Sequence, residues 1–171
     1  RTRAYGKNGL IAYFGNEPDT KAGIDDLNRL VDHTCEAMDL AASRDFDMAL
    51  CVCNFGIGHP KPENGYLPAW MNPILLKLAE HHNRHVYGLH VYLPMDIREH
   101  LKALEKSCER LKIPMPRCVI TEWGFDNDNT NDLNGFKSRG ISAENFAEWC
   151  IDVCNDDFRD WLKTGNLLGI C

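Results

Sequence analysis

The sequence predicts an α/β fold in which parallel strands alternate with helices, and two observations carry that expectation. Apolar runs of strand length recur along the chain: "GLIAYFG" (9–15), "DMALCVCNFG" (47–56), "VYGLHVYLP" (86–94) and "RCVITEWG" (117–124). Between them, apolar residues return every three or four positions, the spacing of a helix with one buried face. A repeated strand-helix-strand order calls for right-handed crossovers and a parallel sheet. Two architectures satisfy it: a doubly wound open sheet, or part of a (β/α)8 barrel. No glycine-rich phosphate loop follows the first run, which counts against a nucleotide-binding open sheet.

The elements follow in order. After the strand at 9–15, residues 22–43 place Ile24, Leu27, Val31, Cys35, Met38 and Ala42 at helical spacing. The strand at 47–56 lacks polar alternation, as expected where both faces are covered. Trp70, Ile74, Leu75 and Leu78 mark a second helix, with Trp70 read as core. After the strand at 86–94, Asp96 reads as an N-cap with Glu99 in capping-box position. Ile97, Leu101, Leu104, Cys108 and Leu111 form the stripe of that third helix. The strand at 117–124 is followed by a polar stretch, then Ser142 as another N-cap. Phe146, Trp149, Val153 and Trp161 line the fourth helix, and "NLLGIC" (166–171) opens a fifth strand. No linker divides the chain, so residues 1–171 read as one region.

Composition narrows the function. The 171 residues are 44% hydrophobic and 26% charged, which is globular composition. A net charge of −6 with no basic cluster argues against a nucleic-acid partner. No apolar run approaches the roughly 20 residues of a membrane helix. The eight cysteines form no C-x-x-C pair, and several lie inside apolar runs. They read as reduced, small, buried hydrophobes.

Both architectures place chemistry at the carboxyl ends of the strands. Those ends hold Asn16-Glu17-Pro18, then Asn54 with Gly56, Gly58 and His59, then His90 and Tyr92, then Thr121-Glu122-Trp123. Two carboxylates on different strand ends are what glycoside hydrolysis needs: one protonates the leaving oxygen, the other attacks the anomeric carbon or activates water. A charged Glu122 opposes ionisation of Glu17, so Glu17 holds its proton; once Glu122 is esterified by sugar, Glu17 turns base. Pro18 biases Glu17 away from helical dihedrals. Asn16 offers an amide to a sugar hydroxyl.

"GNEPD", "LHVY" and "ITEWG", in that order, resemble clan A of the retaining glycoside hydrolases. The resemblance implies a partial TIM (β/α)8 barrel with about five of eight βα units, running from the fourth strand to the eighth. The first three strands and the last helix would lie outside it. It further implies Glu17 as acid/base, Glu122 as nucleophile, Asn16 on the sugar 2-hydroxyl, and His90 and Tyr92 lining the site. A glycan or glycoside is the implied substrate, with neither metal nor organic cofactor. Five strands cannot close an eight-stranded barrel, so this segment alone is expected to be weakly active or inactive and to self-associate through open edges.

Other residues have plainer alternatives. Trp123 fits a sugar-stacking platform or core packing equally well. His59 is a candidate subsite residue on a loop. The "DNDNTND" run fails the EF-hand pattern, since Asn131 and Lys137 stand where Gly and Glu belong; it reads as a solvated loop over the active face. Two rival functions remain: a non-catalytic carbohydrate-binding or structural barrel remnant, and a metal-dependent hydrolase using His59, His90 and a carboxylate. The absence of an H-x-H pair at a strand end argues against the second.

Overall fold

A computed structural model describes residues 10–13, 15, 18, 23–44, 48–56, 59–82, 84–91, 94–123 and 140–170. Its strands are β1 (Leu10–Tyr13), β2 (Met48–Val52), β3 (Val86–Val91), β4 (Cys118–Trp123) and β5 (Leu167–Ile170). The helices are α1 (Ile24–Ser43), α2 (Asn72–Glu80), α3 (Pro94–Leu111), α4 (Ala143–Val153) and α5 (Arg159–Thr164). The five strands form one sheet in the order β1-β2-β3-β4-β5, and every neighbouring pair is parallel. The expected α/β alternation is therefore present.

The order never reverses. A doubly wound sheet turns back at a switch point; here each connection steps to the next position in the same direction. With right-handed crossovers, such an order sends every helix to the same face. The contacts agree: α1 packs on β2 and α2, α2 on α3, α3 on β3, and α5 on β5.

The core lies between that helix layer and one face of the sheet. Helix α1 buries Leu27, Val31, Thr34, Met38 and Ala41, a single stripe at three- and four-residue spacing. Ile74, Leu75 and Leu78 of α2 and Leu101, Leu104 and Cys108 of α3 join it. From the sheet come Val52, Tyr87, Leu89, Cys118, Ile120 and Leu167. Register explains this set: Val52 pairs Tyr87, Tyr87 pairs Cys118, Leu89 pairs Ile120, and Cys118 pairs Leu167. Paired residues point to the same face, so one hydrophobic row crosses four strands. Trp70 sits in a 3-10 turn (Ala69–Met71) and, partly buried, packs against the core with its ring edge-on to Phe55 at 5.7 Å.

Two element ends differ from expectation. Asp96 is not an N-cap, because α3 already begins at Pro94. Proline suits a first helical position, since its fixed φ is helical and its missing N–H would have had no partner there. The fourth helix is interrupted by a π turn (Cys154–Phe158) before α5, which ends on Gly165 in the left-handed region, φ 77°. Ser142 does cap α4, its hydroxyl accepting from the Asn145 amide at 3.1 Å. Among the described residues no helix is long and apolar enough to cross a membrane.

Two buried histidines tie the layers together. His85 Nδ1 accepts from the Leu50 amide at 3.1 Å, which leaves Nε2 to donate to the Met38 carbonyl at 3.2 Å. One neutral ring thus links β2 to α1. His100 Nε2 lies 3.0 Å from the Tyr87 hydroxyl, and burial holds that phenol well above its usual range. Burial lowers both histidines to about 4 from 6.5. Their folded values lie below their unfolded ones, so the unfolded chain binds more protons between those limits. Stability is expected to be flat above about pH 6.5 and to fall as pH drops toward 4. The urea midpoint measured across pH 4–8 tests this, and His100→Gln should flatten the slope.

Candidate functional site

The site is built at the carboxyl ends of β2, β3 and β4, on the sheet face away from the helix layer. Cys51 pairs with Val86 in register, and Val86, Gly88 and His90 follow at two-residue spacing on that same face. The decisive irregularity lies in β4. Leu89 pairs Ile120, but the next residue, His90, pairs Glu122, so Thr121 is an extra residue in β4. Strict alternation from helix-facing Ile120 would have turned Glu122 toward the helix layer. The bulge turns both Thr121 and Glu122 to the opposite face, a common use of such bulges beside functional sites.

Glu122 and His90 are thereby brought together. His90 Nδ1 lies 3.7 Å from Glu122 Oε2, the imidazole fully buried and the carboxylate about one-third exposed. That distance is longer than a hydrogen bond. The buried imidazole lies beside the partly exposed carboxylate.

Behind this pair sits an amide network that sequence reasoning had not chosen. Asn54 is only 1% exposed. Its Nδ2 donates to the Cys51 carbonyl at 2.9 Å and to the Gly15 carbonyl at 3.3 Å. Its Oδ1 accepts from the Cys51 thiol at 3.4 Å and from the Thr121 hydroxyl at 3.3 Å. Two carbonyl partners can only accept, so the amide orientation is dictated. The Thr121 hydroxyl has a single proton, which it shares between Asn54 Oδ1 and the Leu89 carbonyl, 3.1 Å away.

Two local features let Asn54 reach that far. Residues 51 and 54 would point to opposite faces of a regular strand. Cys53 adopts φ 68°, a left-handed conformation unusual for a residue with a side chain, and the Asn54 side chain folds back beside Cys51. On β3, Gly88 clears the path: a Cβ there would overlap both Asn54 Oδ1 and Cys51 Sγ. A glycine inside a strand was the available signal of such a close approach.

Other expected site residues fall differently. For Trp123 the ring contacts favour the core-packing alternative. Its ring stacks on Trp149 at 5.2 Å and meets Phe158 edge-on at 6.2 Å. Adjacent strand residues face opposite ways, so Trp123 packs among helix-layer aromatics while Glu122 faces the site. His59 lies half-buried in the connection after β2, its amide donating to the Gly56 carbonyl at 2.9 Å and its bond to Pro60 cis. Asn16, Glu17 and Tyr92, and the polar run after Trp123, lie outside the described residues.

Two further features lie away from the strand ends. Among the described residues, the group resembling a metal site is Asp39, Glu80 and His81 on α1 and at the end of α2. Lys77 already bonds both carboxylates, at 3.1 and 2.7 Å, and His81 bonds Asp39 at 2.7 Å. Those bonds, His81 first, hold the Asp39 carboxyl below its usual range. A cavity of about 450 Å³ opens beside α3 and α5, lined by Arg98, Lys102, Asp160, Trp161 and Asn166. The seven described cysteines form no disulfide. Burial pushes the Cys108 thiol up to about 12 and those of Cys53 and Cys118 well above the ordinary range; they are protonated hydrophobes, as the sequence implied.

No family model, no curated protein and no solved structure matches this chain.

Gly88→Ala is expected to destabilise the fold by about 1–3 kcal/mol, the cost of an extra methyl in a packed site. The unfolding midpoint in urea measures this. An unchanged midpoint would show that Asn54 does not cross β3 at that residue.

Proposed function

We propose that this chain is a strand-four-to-eight segment of a (β/α)8-barrel glycosidase that cleaves a β-glycosidic bond with retention. The observation that carries the reading is the bulge at Thr121, which aims Glu122 to the same face as His90 at the carboxyl ends of adjacent parallel strands. The non-reversing strand order supports it, since barrels add strands in one direction while doubly wound sheets reverse.

In this reading one Glu122 oxygen attacks the anomeric carbon while Glu17 protonates the departing glycosidic oxygen. The products of that step are the leaving alcohol and a glycosyl ester on Glu122. Glu17, now a carboxylate, takes a proton from water as the water oxygen displaces the Glu122 carboxylate. Two inversions at one carbon give net retention. The partial exposure of Glu122 beside the buried His90 ring suits a nucleophile that must reach a sugar. Asn16 serves the 2-hydroxyl and Tyr92 the nucleophile's edge. Retention calls for a separation of about 5–5.5 Å between the two carboxyl groups.

In the complete barrel carrying this chain, Glu122→Gln is expected to lower kcat/KM on an aryl β-glycoside by about 10⁴-fold or more. Glu122→Ala with added azide should form the glycosyl azide of opposite anomeric configuration, because the small anion fills the nucleophile's place. Full activity in Glu122→Gln would end the reading.

A further inference from the structure

The Asn54 amide joins the two strand ends that hold the carboxylates. We propose that Asn54 is a positioning residue that ties the chain at Gly15, two residues before Glu17 in sequence, to the Thr121 bulge beside Glu122; this rests on the glycosidase reading above. Nδ2 donates to the carbonyl of Gly15, two residues before Glu17. Oδ1 accepts from the hydroxyl of Thr121, the residue before Glu122. One side chain therefore spans from the end of β1 to the bulge of β4.

No ladder does this directly. In the sheet β1 pairs with β2, and β4 pairs with β3 and β5. The separation of the β1 and β4 ends is otherwise an accumulated result of three strand pairings and their twist. The amide replaces that accumulation with two hydrogen bonds from one planar group. It cannot swing, because its other bonds, to the Cys51 carbonyl and thiol, pin it to its own strand. It cannot turn over, because two of its partners are carbonyl oxygens.

The spacing matters chemically. Retaining chemistry needs carboxyl groups about 5–5.5 Å apart, and about 6.5–9.5 Å leaves room for a water and inverts instead. Displacement of one strand end by about an ångström takes the pair out of attack geometry. The bond to Thr121 also holds the bulge that turns Glu122 away from the helix layer. Asn54, Gly88 and Thr121 thus act as one unit: the strut, the gap that it crosses and the residue that it holds.

The test uses the complete barrel carrying this chain and a set of 2,4-dinitrophenyl 2-deoxy-2-fluoro-β-glycosides with glucosyl, mannosyl and xylosyl groups. The burst of dinitrophenolate counts competent sites, its rate constant reports glycosylation per site, and peptide mapping locates the sugar. Asn54→Ala and Thr121→Val are expected to slow glycosylation per titrated site by about 10²-fold. Thr121→Ser, which keeps the hydroxyl, should restore most of the rate. If Asn54→Ala fails to fold, Thr121→Val carries the test, since it exchanges only a hydroxyl for a methyl. A smaller burst with an unchanged rate per site would make Asn54 merely structural and overturn the strut while leaving the glycosidase standing. No burst, or no sugar on Glu122 in the unsubstituted protein, would overturn both.

Discussion

A buried amide has no water to turn to, and leaving any of its groups unpaired costs about 1–3 kcal/mol. Asn54 meets that demand with partners on three strand ends, and the surrounding irregularities follow from it. Cys53 takes a left-handed turn, at a cost of order 1–3 kcal/mol for a residue with a side chain, and the amide lies back over its own strand. Gly88 gives up its side chain so that the amide can pass. Thr121 bulges and presents a hydroxyl. Removing any one of these leaves the others arranged around a bond that no longer forms. The same arrangement turns Glu122 to the face on which it meets His90.

The other face of the sheet is governed by a simpler demand. A hydrophobic row from Val52 through Tyr87 and Cys118 to Leu167 is covered by helices that all lie on one side. Burial there has consequences for ionisation. His85 can bridge β2 and α1 only as a neutral ring that accepts at one nitrogen and donates at the other. Buried thiols stay protonated for the same reason: a charge in this layer would have no solvent. The sheet therefore separates two regimes, an apolar layer that excludes charge and a polar strand-end face where a carboxylate is retained.

Much of the architecture was legible in the residues. Strand and helix order follows from the period of the apolar positions, and Ser142 is recognisable as a cap because a hydroxyl before an apolar run has a definite use. Element ends were less legible. Asp96 looked like a cap because its side chain suits one, but Pro94 already satisfies the backbone requirement two residues earlier. The second strand looked longer than it is, since nothing in "CVCNFG" announces that the cysteine at 53 turns left-handed. Trp123 stood beside a glutamate in sequence, and adjacency along a strand means opposite faces in space.

What the sequence by itself determined is the alternation of elements, the apolar stripes and the placement of Glu122, His90 and Asn54 at strand ends, because periodicity and chain order are local properties. Which way those end groups face was decided by the tertiary structure alone. One extra residue in a strand reverses the face of everything after it, and that residue becomes visible only when β3 lies alongside to show His90 opposite Glu122. The reach of Asn54 from Gly15 to Thr121 likewise joins residues far apart along the chain. Only the packing of four strands side by side brings them within one amide's span.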